Sequence, residues 1–293
     1  IIFPGFLFTA ALGLVASWID RKVTARIQWR VGPPWYQPFV DLVKLSIKEI
    51  LIPRTSSKAL FMISPLIGLS AVILASTFIW LPNIGLGANG FSGDIIVVLY
   101  LLTLPAIAII LGGSASGNPL ASIGVSREIK LILAYELPFI IALTIPIIKT
   151  SGILRLQDLI AYQAMNGAFV SSASGILALL VMIFCMQAKL GLVPFDVGEA
   201  ETEIMAGTHI EYSGMLLAIL KLTKHMMMVA LPVFLITILW GGFSVWKYVV
   251  LLVIIILMRN TNPRVRIDQA MRFFWRKMTL IAIIAVLLAT MGM

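Results

Sequence analysis

Apolar runs of about 20 residues, broken by shorter polar stretches, recur along the whole chain. Coiled at ~1.5 Å per residue, such a run matches the ~30 Å hydrocarbon core of a bilayer. Eight spans are expected, at approximately 1–19, 60–81, 94–113, 128–148, 169–188, 213–239, 245–259 and 277–292. A membrane barrel would instead show short alternating strands. The expected fold class is all-α: a polytopic membrane protein forming one membrane domain over residues 1–293. Its larger connections run over about 20–59, 114–127, 189–212 and 260–276. The first is too long to be only a connector. Residues 37–51 put Phe39, Leu42, Val43, Ile47 and Ile50 on one helical stripe, opposite Asp41, Lys44, Lys48 and Glu49. Such an amphipathic helix suits either the membrane surface or the flank of the other helices. Ahead of it, Arg30-Val31-Gly32-Pro33-Pro34-Trp35 reads as a rigid turn.

Composition agrees with a membrane protein. Sixty percent of residues are hydrophobic, 12% are charged and mean hydropathy is +1.03, against about 25% charged in soluble domains. The chain starts at Ile1 and its first run is barely long enough to span. A natural start further upstream is expected, and no signal peptide is assigned.

The net charge of +9 would raise nucleic-acid binding in a soluble protein. Its distribution has a topological cause instead. Eight Lys and Arg fall between spans one and two, two (Arg127, Lys130) between three and four, one (Lys189) between five and six, and six between seven and eight. The other side carries Lys149, Arg155 and Lys247. The positive-inside rule then places the long basic loops in the cytoplasm and both termini outside. A multi-pass cell-membrane location is expected, with no nucleic-acid partner.

Against that basic background one loop is acidic. Pro194-Phe195-Asp196-Val197-Gly198-Glu199-Ala200-Glu201-Thr202-Glu203, continuing to Glu211-Tyr212-Ser213-Gly214, brings five carboxylates between two apolar spans. If Pro194 starts a helix, Asp196, Glu199 and Glu203 share a face. Carboxylates held close raise one another's pKa and can exchange protons near neutral pH. A solvated acidic loop is the plainer alternative. Further charges lie inside the spans: Glu136 in the fourth, and Lys221, Lys224 and His225 in the sixth. Such groups should face the bundle interior and find partners. They read either as a static Glu136–Lys221 or Glu136–Lys224 ion pair or as a proton relay from the acidic loop. One cysteine, Cys185, and two histidines, His209 and His225, cannot assemble a zinc or iron–sulfur ligand set. No metal site and no cofactor are expected on this chain.

Four segments together resemble one family. They are Asp20-Arg21-Lys22-Val23-Thr24-Ala25-Arg26-Ile27-Gln28-Trp29-Arg30-Val31-Gly32-Pro33 with Gln37-Pro38 and Asp41-Leu42-Val43-Lys44-Leu45; the acidic loop; Tyr135-Glu136-Leu137-Pro138; and Arg264-Val265-Arg266-Ile267-Asp268-Gln269 through Trp275. The family is that of complex I subunit 1, the bacterial H subunit, which includes the homologous membrane subunit of archaeal energy-converting membrane-bound [NiFe] hydrogenases and their sulfur-reducing relatives. The resemblance covers almost the whole chain. It implies a subunit that joins a peripheral redox arm to antiporter-like ion pumps. The proton-pathway residues it implies are Asp196, Glu199, Glu201, Glu203, Glu211 and Glu136, alongside Lys221, Lys224 and His225 from the reading above. The surface meeting the peripheral arm would comprise Asp20, Arg21, Arg26, Arg30, Asp41, Lys44, Arg264 and Arg266. Implied partners are hydrogenase large and small subunits, an iron–sulfur subunit, antiporter-like membrane subunits and lipid. The [NiFe] site and iron–sulfur clusters would sit on those partners.

The quinone-reducing branch usually has Glu-Thr-Asn-Arg before x-Pro-Phe-Asp, whereas this chain has Lys189-Leu190-Gly191-Leu192. Asp20 also stands where Glu is common. The hydrogenase type is therefore the leading expectation: hydrogen evolution by a peripheral arm linked to H⁺ or Na⁺ translocation, with this subunit itself non-catalytic. A sulfane sulfur reductase and an NAD(P)H- or ferredoxin-quinone oxidoreductase are the alternatives within that architecture. A stand-alone secondary transporter is the rival from another class, although the two related halves common in transporters are not evident. A purely structural anchor would fit the static ion pair.

Overall fold

The computed structural model describes residues 2–85 and 92–292, with residues 201 and 202 as backbone only. Among these, every regular element is helical. A π-helical turn, Ile2–Phe6, leads into α1 (Leu7–Ile27). Then follow α2 (Gln37–Ile47), α3 (Lys58–Asn83), α4 (Asp94–Leu101), α5 (Leu104–Ala115), α6 (Pro119–Lys149), α7 (Leu156–Asn166), α8 (Ala173–Lys189), α9 (Glu201–Ile204), α10 (Gly214–Leu239), α11 (Val245–Thr261), α12 (Ile267–Arg272) and α13 (Thr279–Thr290). Six helical stretches are long and apolar enough to cross a bilayer: Ile2–Ile27, Lys58–Asn83, Asp94–Ala115, Pro119–Lys149, Gly214–Leu239 and Ile267–Thr290. Two 17-residue helices, α8 and α11, stand at the places of the expected fifth and seventh spans. Each is about 26 Å long, slightly under the ~30 Å hydrocarbon core.

α10 is the axis of the bundle. All its residues from Met226 to Leu239 are buried, and α1 and α3 pack against it. The α1–α10 crossing depends on Gly13. A Cβ there would lie 2.5 Å from the His225 carbonyl oxygen, so a small residue lets the two backbones meet. α6, α8 and α13 form the second packed group.

Several boundaries depart from the sequence reading. α6 starts at Pro119, not near 128, because the Asn118 side chain accepts from the Leu120 N–H at 2.8 Å and caps the helix. The last span starts at Ile267, not 277, since a π-helical turn over Phe273–Met278 carries the helix through Arg272, Arg276 and Lys277. In sequence those charges suggest a loop. The third span is broken at Leu102–Thr103. Pro105 has no N–H to return to the preceding turn, so the ladder fails just before it. The amphipathic helix ends at Ile47 instead of running to 51, because Lys48 is already extended. It packs on α1 and α10, with Pro38 buried and Val43 and Ile47 left exposed.

Loops at one end are tied together. Leu51 N–H donates to the Ser213 hydroxyl at 2.9 Å, Ser57 N–H to the Ala115 carbonyl at 3.0 Å, and Val265 N–H to the Pro194 carbonyl at 3.0 Å. Trp18 donates to the Pro33 carbonyl at 3.2 Å, which folds the Arg30–Trp35 turn back onto α1. Gly13→Val should separate α1 from α10 and cost about 1–3 kcal/mol. Thermal denaturation of the detergent-solubilised protein should register it as a lower Tm.

Candidate functional site

The acidic loop is not a continuous helix. From Leu190 to Ala200 it is a chain of turns, followed by one helical turn over Glu201–Ile204 and a 3-10 turn over Gly207–His209. The expected common face for Asp196, Glu199 and Glu203 is therefore absent. Four of the five acids each have their own partner. Asp196 receives a two-pronged grip from Arg264, Nε at 2.9 Å and Nη2 at 2.6 Å. Glu199 turns inward, with Oε2 2.6 Å from Lys224 Nζ and Oε1 3.6 Å from His209 Nδ1. Glu203 lies outside, half exposed, 2.5 Å from Arg127. Glu211 accepts from Asn118 Nδ2 at 2.5 Å. The side chain of Glu201 lies outside the described residues.

Glu136 does not pair with Lys221 or Lys224. Its partner is Lys189, the last residue of α8, whose ammonium lies 2.5 Å from Glu136 Oε1. By sequence Lys189 falls in a loop, because it follows the apolar run directly. In the fold α8 crosses α6 at that level, and the Lys189 side chain is fully buried. It also donates to the Thr103 hydroxyl at 3.1 Å and stands 5.0 Å from the Phe139 ring centroid, a cation–π distance. The Thr103 hydroxyl is 3.0 Å from both Glu136 Oε1 and the Leu99 carbonyl. The helix break at Leu102–Thr103 thus places a switchable hydroxyl on the buried pair.

Two cavities connect these groups. The outer one, about 390 Å³, has a mixed lining in which Asp20, Arg21, Asp196, Glu199, Lys224, His225, Arg259 and Arg264 stand beside Leu190, Leu192, Val193 and Met228. The inner one, about 50 Å³, is lined by Glu128, Lys189, Glu199, His209 and Lys224. Leu190, Gly191, Glu199 and Lys224 border both. The inner volume has room for a few waters. Gly198 makes this approach possible, because a Cβ there would collide with the Glu128 carboxylate. Beyond Lys189, Glu136 opens on an apolar lateral groove of about 450 Å³, formed by α4, α5 and α6. The fully buried Tyr135 hydroxyl, without a hydrogen-bond partner among the described residues, stands two helical turns from Glu128 on the same face of α6.

Burial alone would raise the Glu199 carboxyl. The Lys224 ammonium and His209 beside it prevail and hold it below the ordinary glutamate range. Burial lowers His209, against the pull of Glu199 and reinforced by Lys224 and Lys221. At Asp41 burial works upward, but hydrogen bonds from Arg21 and Gln37, both 2.9 Å, bring the carboxyl below its usual range.

The remaining expected residues divide by position. Arg26, Arg30, Lys44 and Arg266 are exposed, and Arg21 is tied to Asp41. Asp20 is buried against Arg259, and Arg264 is turned inward to Asp196. Lys221 is exposed and lines neither cavity, while His225 lines the outer one. Sequence reasoning missed Glu128, Arg259, Thr103 and the role of Lys189. Glu128 did carry a signal, the seven-residue spacing to Tyr135 that sets both on one helical face.

Lys189→Met leaves Glu136 unpaired in the interior and should cost about 3–5 kcal/mol, with Lys189→Met/Glu136→Gln recovering most of it. Comparing Tm across this double-mutant cycle measures the coupling. Acidification should weaken the loop. Glu199 and His209 both bind protons more readily unfolded, so stability is lost as pH falls through their depressed folded values. Lys224→Met should move the Glu199 titration upward, read from its protonated-carboxyl infrared band.

The NADH dehydrogenase family profile matches residues 1–290 of this chain. The NADH-quinone oxidoreductase H subunit of Dehalococcoides mccartyi is 29% identical over 94% of this chain and 80% of its own length. The protein of the same name from Thermomicrobium roseum is 31% identical over 95% of this chain and 91% of its own. Among solved structures, a chain of the membrane-bound sulfane sulfur reductase, described as an archaeal respiratory membrane complex, superposes with a TM-score of 0.87 at 29% identity, covering 97% of this chain and 96% of that one. This chain accordingly belongs to the NADH dehydrogenase family, as a multi-pass membrane subunit of a complex I-like assembly.

Proposed function

We propose that this chain couples a redox reaction on soluble neighbours to ion movement through membrane neighbours. One observation carries the reading: acids and bases follow one another from the outer cavity, through Glu199–Lys224 and Glu128, to Lys189–Glu136 and the lateral groove. A charge change at the outer cavity alters the pull on Lys224, then on Glu128, then on the buried pair. At an effective dielectric of about 20, unit charges 4 Å apart interact by about 4 kcal/mol, ample to move a proton between such groups. Glu136, at the groove, is the exit toward an antiporter-like subunit.

The basic loops then face the cytoplasm and meet the peripheral arm through Arg26, Arg30, Lys44 and Arg266. Asp20 and Arg264 act from behind that surface by fixing Arg259 and the acidic loop. Redox centres belong to the arm. A [NiFe] hydrogenase arm is favoured by Lys189-Leu190-Gly191-Leu192 replacing the quinone-branch motif and by charged groups crowding the outer cavity, where a quinone needs apolar walls. A sulfur-reducing arm is the second reading, supported by the likeness to the sulfane sulfur reductase structure.

In the purified complex returned to vesicles, Glu136→Gln and Glu199→Gln should each lower ion translocation at least about tenfold, since lost proton transfer by one group typically costs 10²–10⁴. Assembly should be retained. Glu203→Gln, at the exposed pair with Arg127, should have a much smaller effect. Wild-type pumping in both inner variants would reduce these residues to structural props. Metal analysis divides the two arms, nickel marking the hydrogenase.

A further inference from the structure

A further cavity of about 510 Å³ lies behind the acidic loop, on the side away from the charged path. Its floor is aromatic. Phe184 of α8, Phe195 of the loop and Phe273 of the π-helical turn line it, with ring centroids 5.2 Å apart for Phe184–Phe273 and 5.8 Å for Phe195–Phe273. Its rim carries Arg272, Arg276 and Lys277, all exposed and none in an ion pair with a described residue. Three unneutralised cations over an apolar floor call for an amphipathic anion.

The backbone here is unusual in a way that serves this convergence. An α-helix would send residues four and five apart to positions about 100° apart. The wider π turn over Phe273–Met278 brings Arg272, Arg276 and Lys277 toward one side. Such turns occur mostly as single insertions and often at functional sites. Trp275, half exposed beside them, donates its indole N–H to the Leu133 carbonyl at 3.4 Å. Tryptophan is enriched at the headgroup level of membranes. Basic pockets between transmembrane helices are suited to anionic headgroups.

We infer that this cavity binds one anionic phospholipid, its phosphate held by Arg272, Arg276 and Lys277 and its acyl chains laid on Phe184, Phe195 and Phe273. A soluble phosphate would leave the phenylalanine floor bare, which favours the lipid source. Pro194 and Val265 also line the cavity, and the Val265 N–H to Pro194 carbonyl bond joins them. The lipid therefore braces the acidic loop from behind, one residue from Asp196.

The test uses the intact complex in phosphatidylcholine vesicles containing a minor share of phosphatidylglycerol. After detergent washing, retained lipid is quantified by mass spectrometry. Wild type should keep phosphatidylglycerol selectively, and inorganic phosphate should not displace it. Arg272→Gln/Arg276→Gln/Lys277→Gln should retain at least about tenfold less, each cation near an anionic lipid being worth about 1 kcal/mol. Arg272→Lys/Arg276→Lys keeps the charge and should keep the lipid. If the triple variant fails to assemble, single glutamine variants should each retain about fivefold less. Equal retention in the glutamine variants, displacement by inorganic phosphate alone, or an acidic segment of a neighbouring subunit seated on this face would each overturn the assignment.

Discussion

An ammonium group has no place inside a helix bundle without a carboxylate, and the rest of this structure is arranged around that requirement. Lys189 is fully buried at the end of α8 and survives there because Glu136, Thr103 and the Phe139 ring surround it. Breaking one partner of such a pair leaves a charge in low dielectric, so each group holds the other in place. The position of Glu136 requires α6 to pass α8 at that depth. The position of Thr103 requires the third span to break. The break in turn opens the lateral groove onto which Glu136 faces.

The same logic runs outward to the loop. Glu199 is charged because Lys224 faces it, and Lys224 tolerates half-burial because Glu199 and the Gly191 carbonyl receive its protons. Asp196 is clamped by Arg264 and Asp20 by Arg259, so the outer cavity is bordered by paired charges. A set of strong pairs in series is sensitive to a change at either end, whereas isolated charges would simply be neutralised.

The apolar runs are plain in the sequence, and with them the fold class, but of the eight spans expected only six stretches are long and apolar enough to cross, the fifth and seventh places being held by 17-residue helices. The ends of helices are not plain. Arg272, Arg276 and Lys277 read as loop when charge is counted without regard to a helix that keeps its charged face at the rim. Pro105 announces a break in the third span, but the run around it is apolar enough to hide it. The acids at 136, 196 and 199 are recognisable as a group, since charge is rare in such a chain. Their partners are not, because Lys189–Glu136 and Arg259–Asp20 join residues 53 and 239 positions apart. Pairing across that distance is decided by helix crossings, and those depend on contacts such as Gly13 against His225 that no local pattern announces.

The shortness of α8 has an electrical consequence. At 17 residues α8 is slightly shorter than the hydrocarbon core, and it ends on Lys189, whose side chain is fully buried against Glu136. Any charge arriving there has traversed part of the transmembrane voltage, worth roughly 2.3 kcal/mol per elementary charge per 100 mV over the full thickness. Under the proposed coupling role, the protonation of this pair would be biased by the energisation of the membrane itself, and a membrane already charged would push back on the step that charges it.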